Sequence, residues 1–206
     1  MKMLFAVGIS TVCSLTFAQA AEPSWMAINE TGFSMIIPGA WRRISMREGD
    51  PLRLYLSGDG VGAAPMDDTG EPLQLGIVVE RATATKETAE ELAKKSLQGV
   101  RDDPKAALLS EGTIQPIQLC DGSKAALLTT EFLRKDKDRK SVYLKVIAVD
   151  RQSVEWSATA WMVLGKKAIP NHRLLNKMRS HIMSFCFDPK RLTDQNVKAA
   201  YAAAPR

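Results

Sequence analysis

The stretch that most restricts the fold runs from Lys124 to Val163, where three apolar-rich segments follow one another with only short polar links. They are 124–134, 142–149 and 154–163, joined by the charged hexapeptide KDKDRK (135–140) and by Asp150–Ser153. Links this short leave no room for a crossover helix, so the three strands must run antiparallel, and a meander is predicted. Side chains alternate along a strand, so Trp156 shares a face with Val154 while Trp161 faces the other way. One indole then belongs in a core and the other under a helix or at a cleft.

The flanking segments supply more strands and two helices. In GFSMIIPGAW (32–41), Phe33, Met35 and Ile37 share one face, Pro38-Gly39 stops the strand, and Trp41 closes it. A short lead with Trp25 and Ile28 precedes it, and Arg42 and Arg43 open a charged connection that reaches Pro51. Leu52, Leu54 and Leu56 mark a half-exposed strand, and Leu73, Leu75, Ile77 and Val79 another. Between them, Gly58 to Pro72 reads as a long loop. Its Asp67-Asp68 pair reads as a solvated tip, because the alternating oxygen ligands of a calcium loop are missing. The period changes to helical over Thr85–Arg101, with Ala89, Leu92, Ala93, Leu97 and Val100 on one stripe and Thr85 or Thr88 as N-cap. Asp102-Asp103-Pro104 ends that helix, and its narrow stripe suits packing on a sheet. Ile114, Ile117 and Leu119 lead to Cys120, and Asp121-Gly122 is a turn. Pro170-Asn171 introduces the last helix, His172–Ser184, with Leu174, Leu175, Met178, Ile182 and Phe185 as its stripe. Strands and helices in this arrangement predict an α+β protein built on an antiparallel sheet.

The chain ends carry a different signal. Lys2, an apolar run from Met3 to Phe17, and Ala18-Gln19-Ala20 match a secretory signal peptide, residues 1–20, cleaved after Ala20. The expected product is periplasmic or secreted, with no stable membrane insertion after cleavage, one domain over 21–189 and a weakly patterned tail over 190–206. Cleavage removes Cys13 and leaves Cys120 and Cys186 as an even pair in an oxidising compartment, which predicts a disulfide between them. The formal net charge of +5 falls by one when Lys2 leaves, an excess too small and too scattered to indicate nucleic acid as a partner.

The catalytic motifs are missing. The sequence contains no H-E-x-x-H, no Walker loop, no G-x-G-x-x-G after a strand and no G-x-S-x-G elbow, so no cofactor, metal or catalytic residue is expected. His172 and His181, the only histidines, lie nine apart on one helix and so on opposite sides; both read as surface residues. Two clusters are candidates for partner binding. Arg134, Lys135, Lys137, Arg139 and Lys140 concentrate charge at a hairpin tip, and Trp41 sits beside Arg42 and Arg43 at a sheet edge; Trp161 joins them as the second indole.

The order of elements from Gly32 to Pro189 resembles the PsbP-like (PsbP and Mog-type) fold superfamily. The likeness rests on Phe33, Pro38, Gly39 and Trp41 at one end and Ile182, Ser184 and Phe185 at the other. The resemblance implies an α/β/α sandwich, a central antiparallel sheet flanked by helices, and binding or accessory roles instead of catalysis. No family binding site transfers residue by residue. The resulting expectation is a periplasmic non-catalytic protein that meets a protein partner or an envelope component. An immunity or inhibitor protein against a secreted toxin is the alternative, and a cell-envelope hydrolase the second alternative.

Overall fold

The computed structural model describes residues 25–30, 32–38, 42–44, 54–57, 66–71 and 73–187. The leader, Trp41, most of the Gly58 to Pro72 loop and the tail lie outside the described residues. Along the chain run β1 (Trp25–Glu30), β2 (Phe33–Pro38), β3 (Arg42–Ile44), β4 (Leu54–Ser57), β5 (Gln74–Ala84), α1 (Ala89–Asp102), β6 (Ala106–Leu108), β7 (Thr113–Gln118), β8 (Lys124–Arg134), β9 (Arg139–Val149), β10 (Val154–Gly165) and α2 (His172–Met183).

The meander is the middle of the molecule. β8, β9 and β10 pair antiparallel over nearly their whole length, with Trp161 opposite Tyr143 and Arg134 opposite Arg139. β5 joins the outer edge of β10, so the order in this eight-stranded antiparallel sheet is β3-β4-β5-β10-β9-β8-β6, with β7 also paired to β8. The strand period then separates two cores. Ala125 and Leu127 face one side with Val146, Ala148, Trp156, Ala158 and Ala160, and Ala126, Leu128 and Ile147 face the other.

Each face is covered by a helix. α1 lays Leu92, Ala93 and Leu97 on Ala126, Leu128 and Ile147. Thr88 is its N-cap, through a reciprocal capping box in which Thr88 accepts from the Glu91 amide and Glu91 accepts from the Thr88 amide at 2.7 Å. α2 covers the opposite face with Met178 and Ile182, followed by Phe185. Helices on both faces of an antiparallel sheet make this the expected α+β sandwich. Among the described residues no helix is long and apolar enough to cross a membrane.

β2 departs from simple alternation. Phe33, Met35 and Ile37 are in the core as the pattern requires, yet Ser34 and Ile36 are buried too. The reason is that β2 pairs with β1 in a separate two-stranded sheet, and the segment following α2 closes over its other side. Ser34 and Cys186 exchange backbone hydrogen bonds of 2.7 and 2.9 Å, and the Ile36 amide donates to Ser184 Oγ at 2.8 Å. Cys186 is bridged to Cys120 with Cα atoms 5.6 Å apart, so the end of α2 is tied to the end of β7.

Three expectations change. The lead at Trp25 is strand β1, paired with β2 from Trp25–Pro38 to Glu30–Phe33. The charged connection beginning at Arg42 and Arg43 holds β3, an edge strand whose three residues pair with β4; such edges tolerate charge, which hides them from an apolar pattern. His181 is 3 % exposed and faces the core, not solvent. It stands three residues from Met178 and four before Phe185, so helical spacing puts it on their stripe.

Candidate functional site: an apolar cleft at the end of β10

β10 ends at Gly165, and the chain turns through Ala168, whose amide donates to the Gly165 carbonyl at 3.0 Å, before entering α2. Asn171 caps that helix by accepting the Leu174 amide at 3.1 Å. Segment 66–71 lies against this turn. Its own fold is an acidic turn in which Asp67 Oδ1 accepts from the Thr69 amide, the Thr69 hydroxyl and the Glu71 amide at 2.9, 2.7 and 3.0 Å. The other Asp67 oxygen accepts the Gly165 amide at 2.7 Å, across 98 residues of sequence. Asp68 accepts the Ile169 amide at 3.0 Å.

These bonds set the electrostatics of Asp67. The Thr69 hydroxyl is the largest influence, and with the Gly165, Glu71 and Thr69 amides it outweighs burial and lowers the carboxyl to about 2. Asp67 and Asp68 are therefore anchors, where the sequence pattern suggested a solvated tip. Their partners lie on a distant strand end, so no local pattern marks them. Gly165 is the matching feature: a Cβ there would stand 3.0 Å from Thr69 Oγ1 and 3.1 Å from Asp67 Oδ2. The close approach of the acidic turn leaves a side chain at 165 room only if these atoms give by a few tenths of an ångström.

Between the two tied segments and the first turn of α2 lies a cleft of about 740 Å³. Leu73, Met162, Leu164, Pro170 and Leu174 line it, with Met66 and Ile169 at its mouth. Those two are 61 % and 69 % exposed, large apolar side chains left open to solvent beside the same cleft. His172 and Arg173 complete the mouth. The size suits a small ligand or a few side chains of a partner.

The candidate residues divide around this cleft. Arg139 and Lys140 do not line it, but both brace the turn beside it. Arg139 donates to the Leu164 carbonyl at 3.0 Å and pairs with Glu71 at 3.4 Å; Lys140 donates to the Ala168 carbonyl at 2.8 Å and pairs with Glu131 at 3.3 Å. Arg134 instead holds Asp136 through two bonds of 3.1 and 3.0 Å, which raise its guanidinium above the usual value. Lys135 reaches the Pro104 carbonyl at 3.3 Å, and Lys137 sits exposed at the hairpin tip. Trp161 is half-buried on the α1 face of β10, between Tyr143 and Gly76, outside the cleft. Arg42 and Arg43 belong to the edge strand β3. Trp41 lies outside the described residues.

His181 is withdrawn from acid–base chemistry by its burial. Burial lowers His181 to about 4, against the favourable bond to the Ile36 carbonyl at 3.1 Å, and Lys177 adds to the lowering. A carbonyl only accepts, so Nδ1 carries the proton and the ring is neutral. Among the described residues no three His, Cys, Asp or Glu side chains converge on a possible metal position.

A second, more polar pocket of about 450 Å³ opens at the other end of β10, beside Trp156 and the disulfide. Trp156 is 2 % exposed and donates its indole N–H to Asp150 at 3.0 Å. Phe33 and Phe187 pack on it with ring centroids 5.6 and 6.1 Å away.

No family model matches the chain, and no curated protein matches it in sequence. Solved structures do match. The Ran-binding protein Mog1p of Saccharomyces cerevisiae superposes with a TM-score of 0.52 at 12% identity, covering 82% of this chain and 98% of that one. Cyanobacterial PsbP (CyanoP) from Synechocystis sp. PCC 6803 superposes with a TM-score of 0.50 at 14% identity, covering 82% of this chain and 96% of that one. Identity this low speaks to architecture alone, and on that architecture the chain has the PsbP/Mog-like fold.

Proposed function

We propose that this is an exported, non-catalytic binding protein that takes an apolar segment of a partner protein into the cleft between 66–73 and 162–174. The observation that carries the reading is the pair Met66 and Ile169, both exposed above an apolar floor of Leu73, Met162, Leu164 and Leu174. Covering them would release water from apolar surface, the main favourable term in association. Among the described residues Arg173 at the mouth has no ion pair, which favours a partner segment with a carboxylate beside its apolar side chains. The matched yeast structure is itself a Ran-binding protein, which agrees with a binding role for the fold. The periplasmic address rests on the leader at 1–20, with the envelope as the place to look for the partner.

Site-specific photo-crosslinking tests this. A photoreactive residue at Ile169 is expected to trap one partner in the periplasm, and Leu174→Asp is expected to abolish the adduct. The control is the same residue at Leu109, an apolar side chain 49 % exposed away from the cleft. Equal labelling from both positions would sink the reading. Export is tested separately by sequencing the mature N-terminus, expected to begin at Ala21.

A further inference from the structure

The pocket beside Trp156 has a chemistry unlike that of the apolar cleft. Two arginines face it, Arg81 from β5 and Arg151 from the β9–β10 turn, together with Asp121, Asp150 and the Phe187 ring. Among the described residues neither arginine has a carboxylate within ion-pair distance, although two acids line the same pocket. Those acids are engaged elsewhere. Asp150 accepts the Gln152 and Val154 amides at 2.8 and 2.9 Å and the Trp156 indole at 3.0 Å; Asp121 accepts the Ser123 amide and hydroxyl at 3.1 and 2.8 Å. The carboxylate oxygens are thus hydrogen-bonded within their own loops; Arg81 still helps to lower the Asp150 carboxyl through space, but no hydrogen bond or ion pair joins them.

The Arg81 side chain and the backbone under Arg151 are also held in place. The Arg81 guanidinium carbon stands 5.5 Å from the centre of the Trp156 ring, a cation–π contact on a buried indole. Arg151 belongs to a four-residue turn fixed by the bonds to Asp150 and by Ser153 at φ 60°. The opposite walls are fixed too, because Asp121 and Phe187 each follow a cysteine of the Cys120–Cys186 bridge. Gly32 forms part of the floor at a φ of 99°, where a Cβ would stand 2.9 Å from the Trp156 ring. An anion entering here meets walls already fixed and an Arg81 already oriented on the Trp156 ring, so little ordering is lost on binding.

We propose that this second pocket binds the carboxylate of an organic acid that carries an apolar or aromatic body, with Arg81 and Arg151 on the carboxylate and Phe187 against the body. The source of that carboxylate is either a free organic acid or the C-terminus of a peptide. The site is independent of the apolar cleft, and its failure would leave the reading of that cleft untouched.

The test is a ¹H–¹⁵N NMR titration of the full mature chain, following the arginine Nε–H signals and the Trp156 indole N–H. The probes are benzoate, its neutral isostere benzamide, and N-acetyl-alanyl-phenylalanine with a free carboxylate. Benzoate is expected to shift the Arg81, Arg151 and Trp156 signals, and benzamide to bind at least about tenfold more weakly. Arg81→Gln and Arg151→Gln are each expected to weaken benzoate about tenfold, with the remaining spectrum unchanged because both side chains are exposed. Tighter binding of the acetylated dipeptide than of benzoate assigns the pocket to peptide C-termini; the reverse order assigns it to small acids. Equal binding of benzoate and benzamide, no shift with any probe, or unchanged affinity in both glutamine variants would overturn the proposal.

Discussion

The two ends of β10 are held by different means. At the Trp156 end a covalent bridge, three phenylalanine rings and a buried indole lock the turn after α2 onto β2 and β7. At the Gly165 end nothing covalent joins the pieces: two aspartates reach across about a hundred residues to the amides of Gly165 and Ile169. The first arrangement stabilises the whole fold, because it constrains the unfolded chain and buries large aromatic surface. The second fixes a local geometry, that of the cleft, so opening there is expected without unfolding the sheet. One end thus holds a polar pocket walled by a covalent bridge, the other an apolar cleft held by hydrogen bonds.

Loss of the bridge is the largest expected effect. A Cys120→Ser, Cys186→Ser variant releases a loop with a sequence separation of 66, worth about 4 kcal/mol in the chain-entropy account. Urea unfolding should show that loss as a lower midpoint with a steeper slope, because the chain without its bridge exposes more surface when unfolded. Hydrogen exchange of the Gly165 and Ile169 amides should still rank as local opening, at rates close to wild type under strongly native conditions. If those amides lose protection together with the core, the two ends are one cooperative unit and the contrast fails.

His181 sharpens the same contrast through pH. Its folded value of about 4 lies below the ordinary 6.5, so the unfolded state takes up the proton more readily. Stability is therefore fully present above about pH 6.5 and falls as the pH drops towards 4, by on the order of 3 kcal/mol. His181→Gln should remove that slope between pH 6.5 and 4. The Asp67 anchor behaves the same way in sign but later: its contribution is present above its ordinary value of 3.8 and is lost towards 2. Acid should thus loosen the α2–β2 contact first and the cleft second. Cleft amides that exchange faster before the His181 transition begins would reverse that order.

Much of this was legible from the residues, for reasons that also explain the omissions. β8 to β10 and both helices announce themselves because each buries a face, and burial writes a period into the sequence. Phe33, Met35 and Ile37 read correctly, but the burial of Ser34 and Ile36 depends on the Cys186 segment pairing from the far end of the chain. β1 and β3 carry too little apolar alternation to stand out from a lead and a linker. The cleft was missed for a related cause: Asp67 and Asp68 act through amides of residues 165 and 169, and a bond between backbone and side chain at such separation leaves no local signature. The spacing of His181 from Met178 and Phe185 did hold the signal that it faces inward.

A smaller effect is expected at Gly165. Alanine there would place a methyl 3.0–3.1 Å from Thr69 Oγ1, Glu71 Cδ and Asp67 Oδ2. Those atoms are constrained by their own hydrogen bonds, so the acidic turn must move and the bond from the Gly165 amide lengthens. Exchange of the Thr69, Glu71 and Gly165 amides should quicken by about tenfold, with the global unfolding midpoint almost unchanged. A Gly165→Ala variant that lowered global stability as much as loss of the disulfide would erase the difference between the two ends.

The smallest effect is expected from Ser34, at the disulfide end. Its hydroxyl is fully buried and, among the described residues, has no hydrogen-bond partner, although its backbone N–H and C=O both bond to Cys186. An unpaired hydroxyl in an apolar core costs desolvation without return, whereas its removal leaves the backbone bonds intact. Ser34→Ala should therefore be neutral or stabilise by up to about 1 kcal/mol in urea unfolding. A clear loss of stability would mean that the hydroxyl is bonded in solution, through a water or a rotamer change. The tight closure of this end around β2 would then be partly polar, and nearer in kind to the cleft at the other end.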